Sequence, residues 1–179
     1  GKAFARDPFM TLKIMARLGQ LRRGREGTPV ETVTAALVMM GVGPFFHHFG
    51  AQPTVTAKLA DHREARQGLR GVMLRSQRAA AFALAFAVHR MDRDTDLIHE
   101  AALLHDFAEM LLWVHAPALA LQIAAAQAKD PQLRSALAQK DVLGIELADL
   151  QQALLKAWGL SELLAHTMDD HHADTPQVR

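Results

Sequence analysis

The stretch Ala101-Ala102-Leu103-Leu104-His105-Asp106-Phe107-Ala108-Glu109 places a histidine and an aspartate side by side in an otherwise apolar run. Charged side chains are rarely buried unless they are paired, because an unpaired buried charge is costly. A carboxylate beside an imidazole in such a run therefore needs a partner. Metal ligation is the sharpest explanation, so the rest of the chain must be searched for further ligands.

Composition limits the class of protein. The chain has 179 residues, of which 50% are hydrophobic and 22% charged, and this is typical of one folded domain or two small lobes. It contains no cysteine, which excludes disulfides, cysteine-ligated zinc and thiol chemistry. The longest apolar run, Ala79 to Val88, is too short to span a bilayer, and the first residues lack the layout of a signal peptide. We therefore expect a cytoplasmic protein without a membrane partner.

Apolar residues recur at helical spacing along the chain, and alternating strand patterns are absent. The sequence therefore predicts an all-α fold. A first helix is expected to end at Gly19, and Thr28-Pro29-Val30-Glu31 is typical of the capping box that begins a second. Residues 79–86 are apolar nearly all round, which is typical of a helix at the centre of a bundle. Later helices are expected over residues 55–88, 95–115, 117–128, 131–140, 145–158 and 160–170.

Leu103-Leu104-His105-Asp106 is accompanied by further segments in a recognisable order: Arg6-Asp7-Pro8-Phe9-Met10-Thr11, residues 32–43, Gly144, Trp158-Gly159-Leu160 and His171-His172. With these segments the chain resembles the HD superfamily of metal-dependent phosphohydrolases, and within it the HD-related output domain (HDOD) family. The resemblance covers nearly the whole chain, so residues 1–179 are expected to be a single HDOD domain. It implies an N-terminal helical lobe at about 1–70 and a degenerate HD-like helical bundle at about 71–179. Since the family domain usually has a further N-terminal helix, we expect this chain to be a piece of a longer protein.

The resemblance also implies where a hydrolytic site would lie. Catalytic relatives hold one or two divalent metals with a histidine on the long preceding helix, the His-Asp pair and later histidines. Here the first position falls near Ser76-Gln77 and a later one at Leu147, and neither segment offers a histidine. About half a site is left, which should bind metal poorly. We expect no cofactor; if a residual divalent metal binds, its ligands would be His105, Asp106, His171 and His172.

A cation of the protein itself is expected in place of the metal. Arg75 and Arg78 flank the position of the missing histidine, and either could form an ion pair with Asp106. Glu109 follows His105 by four residues, so on one continuous helix it would face the imidazole and pair with it. The degenerate HD site is thus predicted to have no catalytic residue and to comprise His105, Asp106, Glu109, His171, His172, Arg75 and Arg78.

The resemblance implies a non-catalytic output or scaffolding domain in bacterial signal transduction that acts through signalling proteins or a small ligand. One alternative is an active HD phosphohydrolase with an unusual ligand set that recruits His99, His166, Asp169 or Asp170. A second alternative is a regulator that binds nucleic acid, because residues 1–89 carry 13 Lys and Arg against 5 Asp and Glu (+8), and residues 90–179 carry 7 against 14 (−7). Apart from Arg22-Arg23-Gly24-Arg25 the basic residues are scattered and have no aromatic platform among them, so nucleic acid is not the preferred partner.

Overall fold

The computed structural model describes residues 6–22 and 32–169 as helices joined by turns, with no strand among these residues. The predicted all-α fold is confirmed. The helices are α1 (Pro8–Arg22), α2 (Val33–Met40), α3 (Val42–Phe49), α4 (Val55–Lys58), α5 (Arg63–His89), α6 (Thr95–Leu104), α7 (Phe107–His115), α8 (Pro117–Lys129), α9 (Ser135–Leu143), α10 (Leu147–Trp158) and α11 (Glu162–Thr167). In this part of the chain no single helix is long and apolar enough to cross a membrane, and the segments Thr95–His115 and Pro117–Lys129 reach that length and composition only when taken together.

The chain packs as two compact units, each made of segments that are distant in sequence. Unit 1 is drawn from residues 1–52, 76–105 and 154–179, and unit 2 from residues 53–75 and 106–153. One division falls within α5, between Arg75 and Ser76, and another falls between His105 and Asp106. The lobes expected at about 1–70 and 71–179 remain a prediction.

In unit 1, α1 packs against α2 and α6, α2 packs against α3, and α6 packs against α11. Its buried apolar side chains include Ile14, Val33, Leu103, Leu104, Leu155 and Leu164. The first helix was expected to end at Gly19, but it continues to Arg22. Gly19 lies where two backbones meet, since a Cβ at this position would overlap with the carbonyl oxygens of Trp158 and Gly159. This glycine therefore marks close packing and not the end of a helix.

The structure describes the start of the second helix from Thr32 onward. The predicted capping box, Thr28 to Glu31, lies outside the described residues. α2 starts at Val33 and its N-cap is Thr32, whose side-chain oxygen accepts a hydrogen bond from the Ala35 N–H at 3.2 Å. Thr32 has an extended backbone (φ −131°, ψ 152°), which is typical of an N-cap residue.

In unit 2, α7 packs against α8 and α8 against α9. Its buried apolar side chains include Leu59, Leu69, Phe107, Met110, Ile123 and Leu147. The helix expected over 55–88 is in fact α4 followed by a turn and then the 27-residue α5. Gly68 on α5 lies directly against Trp113, because a Cβ at residue 68 would overlap with the indole ring. The close approach of this ring to the α5 backbone requires a glycine there.

The second half of α5 does not lie at the centre of a bundle, contrary to the prediction for residues 79–86. Ala80 and Ala87 are buried, whereas Phe82 and Phe86 are 68% and 66% exposed. One face of this part of α5 therefore packs into the core and the opposite face leaves apolar side chains in solvent. The composition of a helix alone does not distinguish a central helix from one with an exposed apolar face.

Candidate functional site at the His-Asp doublet

The doublet lies at a break between two helices. α6 ends at Leu104 and α7 begins at Phe107. His105 keeps helical backbone angles (φ −50°, ψ −39°), but Asp106 departs from them (φ −103°, ψ 24°). The continuous helix predicted over 95–115 is therefore wrong at its centre. The Asp106 side chain does not cap α7, so its carboxylate is available to another element.

That element is α5, whose Arg75 contacts two carboxylates. The Arg75 Nε donates to Asp106 Oδ2 at 2.9 Å, and its Nη2 donates to Glu109 Oε2 at 2.7 Å. Burial alone would lower the pKa of Arg75, but attraction to Glu109 and Asp106, together with the two hydrogen bonds, raises it above its ordinary value. The guanidinium stays charged and forms an ion pair with each carboxylate, so a cation of the chain itself offsets part of their combined negative charge.

Glu109 is shared between Arg75 and an indole. Its second oxygen, Oε1, accepts a hydrogen bond from Trp113 Nε1 at 3.5 Å, which is at the long limit for such a bond. The ion pair expected between Glu109 and His105 stays a prediction, and the described contacts of Glu109 are those with Arg75 and Trp113.

Arg75, Asp106 and Glu109 are the predicted site residues that the described hydrogen bonds join. Arg78 is exposed on α5, and His105 is half-buried at the end of α6. His171 and His172 lie outside the described residues, as does Asp170. Of the alternative ligands, His99 is half-buried on α6, His166 is exposed on α11, and Asp169 is half-buried after α11.

The positions that the resemblance assigns to metal ligands hold other groups. Ser76 is buried, and its hydroxyl has no hydrogen-bond partner among the described residues. Leu147 is buried at the start of α10, where its N–H donates to Gln139 Oε1 at 2.8 Å. Within residues 6–22 and 32–169, no three histidine, aspartate or glutamate side chains form a group that could hold a metal ion. These residues do not fit the metal centre of the catalytic relatives.

A small cavity lies beside Glu109 in unit 2, and its other lining residues include Trp113, Ile123, Gln139 and Leu147. Its volume is about 40 Å³, which is room for a few water molecules. Pockets for drug-sized ligands measure about 300–1,000 Å³. The cavity is therefore too small for a nucleotide.

Sequence reasoning missed a second important carboxylate, that of Glu100 on α6. Glu100 is 3% exposed, and its two carboxylate oxygens accept from the Val33 N–H at 2.8 and 3.0 Å. That N–H is the first of α2 and has no acceptor within its own helix. Glu100 thus caps α2 from 67 positions away in the sequence.

Burial raises the pKa of Glu100 to about 7, while the hydrogen bond from Val33 opposes the shift and the charge of Asp96 adds to it. The pKa of the neighbouring His99 is lowered, mainly by burial. A sequence signal for Glu100 did exist. Leu97, Glu100, Ala101 and Leu104 follow the i, i+3, i+4, i+7 spacing of one helix face, which places the carboxylate on the buried side.

Comparison with known proteins yields one family match. The family model described as HDOD domain matches residues 21–174. A search of the curated proteins and of the solved structures finds no significant match. The matched range includes Arg75, His105, Asp106 and Glu109.

Proposed function

The chain belongs to the HDOD domain family, and on that premise we propose that it is a non-catalytic output or scaffolding domain of bacterial signal transduction. It acts in the cytoplasm through signalling proteins and has no resident cofactor. Hydrolysis is not part of the proposal, because the described residues do not supply the ligand set that this chemistry requires.

The observation that carries the proposal is the double contact of Arg75 with Asp106 and Glu109. A metal bound to Asp106 would have to displace the guanidinium or lie beside it. Two like unit charges 4 Å apart repel by about 4 kcal/mol at an effective dielectric constant of 20, and a divalent ion doubles this figure. The ion pairs therefore support a structural role for Asp106.

Two further observations support the same conclusion. Ser76 and Leu147 are buried side chains at positions where catalytic relatives need ligands, and the cavity beside Glu109 is too small for a phosphodiester nucleotide. Leucine has no atom that can ligate a metal. With two ligand positions lost and one carboxylate neutralised, the remaining groups are better suited to holding helices together.

The proposal is tested by metal analysis and a hydrolysis assay on untagged protein. After incubation with Mn²⁺, Fe²⁺ or Zn²⁺ and desalting, we expect far less than one metal ion per chain. With a phosphodiester substrate such as bis(p-nitrophenyl) phosphate, we expect the wild-type rate to equal that of His105→Ala. Arg134→Ala, which alters an exposed arginine in unit 2, serves as the control for non-specific charge effects.

Stoichiometric metal, together with a phosphodiesterase activity that His105→Ala abolishes, would establish the phosphohydrolase alternative and overturn the proposal. Nucleic acid is not among the proposed partners. Binding to DNA or RNA with an affinity that falls steeply with salt concentration is the result that would favour that alternative.

A further inference from the structure

The exposed face of α5 carries a regular row of side chains within unit 1. We call this row the outer stripe; it consists of Arg78, Ala81, Phe82, Ala85, Phe86 and His89, all of which are exposed. The spacing between successive members alternates between three and one residues, so they follow one side of the helix. Four apolar members thus lie between a cation at one end and a histidine at the other.

The outer stripe differs from ordinary scattered surface apolar residues. Single exposed apolar side chains are common, but a contiguous apolar row on a helix marks a surface for a partner. Ala80 and Ala87 on the opposite side are buried, so the inner face of this part of α5 is already used in the core. The phenylalanines on the outer face are available for a second packing interaction.

The shape of the outer stripe suits another helix. Phe82 and Phe86 are four residues apart and form a ridge, while Ala81 and Ala85 beside them leave a shallow groove. An amphipathic helix with apolar residues at i, i+3, i+4 and i+7 places a complementary row of side chains into such a surface. The geometry therefore favours a helical partner over an extended peptide.

The charge around the stripe specifies the partner further. Two arginines, Arg78 and Arg90, flank the apolar members of the stripe, and no carboxylate lies between them in the sequence. Arg90 lies just beyond the stripe; its side chain is 72% exposed and forms a long ion pair with Asp92, at 3.6 Å. Acidic side chains beside the apolar row of a partner helix would complement this basic rim.

The same charges disfavour pairing with a second copy of the chain. An antiparallel α5–α5 pair centred on the stripe would place Arg78 opposite Arg90, and a parallel pair would place Arg78 opposite Arg78. Both arrangements bring like charges together at the ends of the contact.

We propose that the outer stripe is the docking surface for an acidic amphipathic helix of a partner protein. This inference rests on the proposed function and deepens it, because it names the surface and the chemical class of the partner. Phe82 and Phe86 supply the apolar contact, and Arg78 supplies the charge contact.

The test uses a synthetic peptide as the probe. A fluorescein-labelled peptide of about 18 residues is long enough to form a helix; it carries leucine at i, i+3, i+4 and i+7 and glutamate on both flanks. A matched peptide carries lysine in place of every glutamate. In titrations of the 179-residue chain followed by fluorescence anisotropy, we expect the glutamate peptide to bind about tenfold or more tightly than the lysine peptide.

Variants then locate the binding surface. The double variant Phe82→Ala/Phe86→Ala is expected to weaken binding of the glutamate peptide about tenfold, and Arg78→Glu is expected to weaken it more at low salt than at high salt. Leu137→Ala and Arg134→Glu change an exposed leucine and an exposed arginine in unit 2, and both should bind as the wild type does. All the replaced side chains are exposed, so circular dichroism should show unchanged helix content.

Equal binding of the two peptides, or equal weakening by the two control variants, would overturn the inference. So would a wild-type dimer in light scattering that Phe82→Ala/Phe86→Ala dissociates, because a second copy would then cover the stripe. Sedimentation with anionic phosphatidylserine vesicles that depends on the two phenylalanines would instead identify a membrane surface and would also overturn it. A phosphodiesterase activity would overturn the proposed function without changing the peptide result, so the two failures are distinguishable.

Discussion

Glu100 and Asp106 lie six positions apart in sequence, but their two carboxyl groups have different kinds of partner. Glu100, in unit 1, is 3% exposed and accepts from a backbone N–H of α2. Asp106, in unit 2, keeps 25% of its side-chain area exposed and pairs with the guanidinium of Arg75. One carboxylate is therefore held by a neutral donor in the core, and the other by a cation near the surface.

The depth at which a carboxyl group is buried decides how it contributes to the stability of the fold. A neutral N–H does not compensate for the loss of water around a buried charge, so the pKa of Glu100 rises to about 7. A guanidinium supplies a full opposite charge, but an ion pair in contact with solvent contributes little to stability and is screened by salt. We therefore expect the Glu100 contact to be strong and dependent on pH, and the Arg75 contact to be weak and dependent on salt.

The largest effect is expected from Glu100→Ala. At pH 5 this change should lower the free energy of unfolding by about 2–4 kcal/mol, because the Val33 N–H loses its acceptor and a cavity forms in the core. Urea unfolding followed by circular dichroism measures the loss. The matched variant Asp106→Ala should cost only about 1 kcal/mol. If the two variants cost the same, depth is not the deciding factor.

The pH dependence of stability is expected to identify Glu100 directly. Its folded-state pKa of about 7 lies above its usual value of 4.5, so the folded protein binds the proton more tightly than the unfolded chain does. The resulting stabilisation is fully present below about pH 4.5 and is lost as the pH rises through 7, a change of roughly 3 kcal/mol.

Glu100→Gln should remove this dependence, because an amide oxygen still accepts from the Val33 N–H but does not titrate. His99, whose lowered pKa acts with the opposite sign, is present in both proteins and cancels in the comparison. The measurement is the difference in unfolding free energy between wild type and variant at pH 4.5 and at pH 8. If the difference in unfolding free energy is the same at both pH values, Glu100 is not the source of the pH dependence.

Gly68→Ala tests the packing of α5 against Trp113, which lies next to the Arg75–Glu109 ion pair. The added Cβ would overlap with the ring of Trp113, whose indole N–H contacts Glu109. We expect a loss of about 1–3 kcal/mol in unfolding free energy from overpacking, and an altered tryptophan fluorescence spectrum. Gly71→Ala is the matched control on the same helix, since nothing lies within 4 Å of the added atom. It should stabilise the protein by about 0.4–1 kcal/mol, so a loss of similar size in both variants would contradict the assigned contact.

The smallest effect is expected from Arg75→Met. The guanidinium is half-exposed, so its removal should lower the unfolding free energy by about 1 kcal/mol at low salt and by much less in 1 M NaCl. Parallel urea titrations at the two salt concentrations measure this change, with Arg134→Met as the control. A loss that persists at high salt would mean that the pair behaves like a buried one.

Sequence patterns predicted the fold class better than the residues at which the helices begin and end. Helical periodicity and the absence of strand patterns were sufficient for the all-α fold. Of the two arginines considered as partners of Asp106, Arg75 forms an ion pair with it. The break at the doublet was not predictable, because no proline or glycine lies between Leu104 and Phe107 to signal it.

The remaining misses have a common physical origin in tertiary contacts. The capping of Val33 by Glu100 joins residues 67 positions apart, which no local pattern encodes. The exposure of Phe82 and Phe86 likewise depends on which face of α5 the core uses. Local sequence predicts the elements, whereas the partners of single buried or exposed side chains depend on the assembled fold.

The long-range cap of α2 has a consequence for the order of folding. Closing a chain segment of 67 residues costs roughly 4 kcal/mol of entropy, so the contact between Glu100 and Val33 cannot form among the first local helical turns. The N-terminal turn of α2 is capped only after α6 has packed against the rest of unit 1. An isolated α2 peptide of eight residues would lack the cap and would be largely non-helical. Substitutions at Glu100 should accordingly speed unfolding far more than they slow refolding.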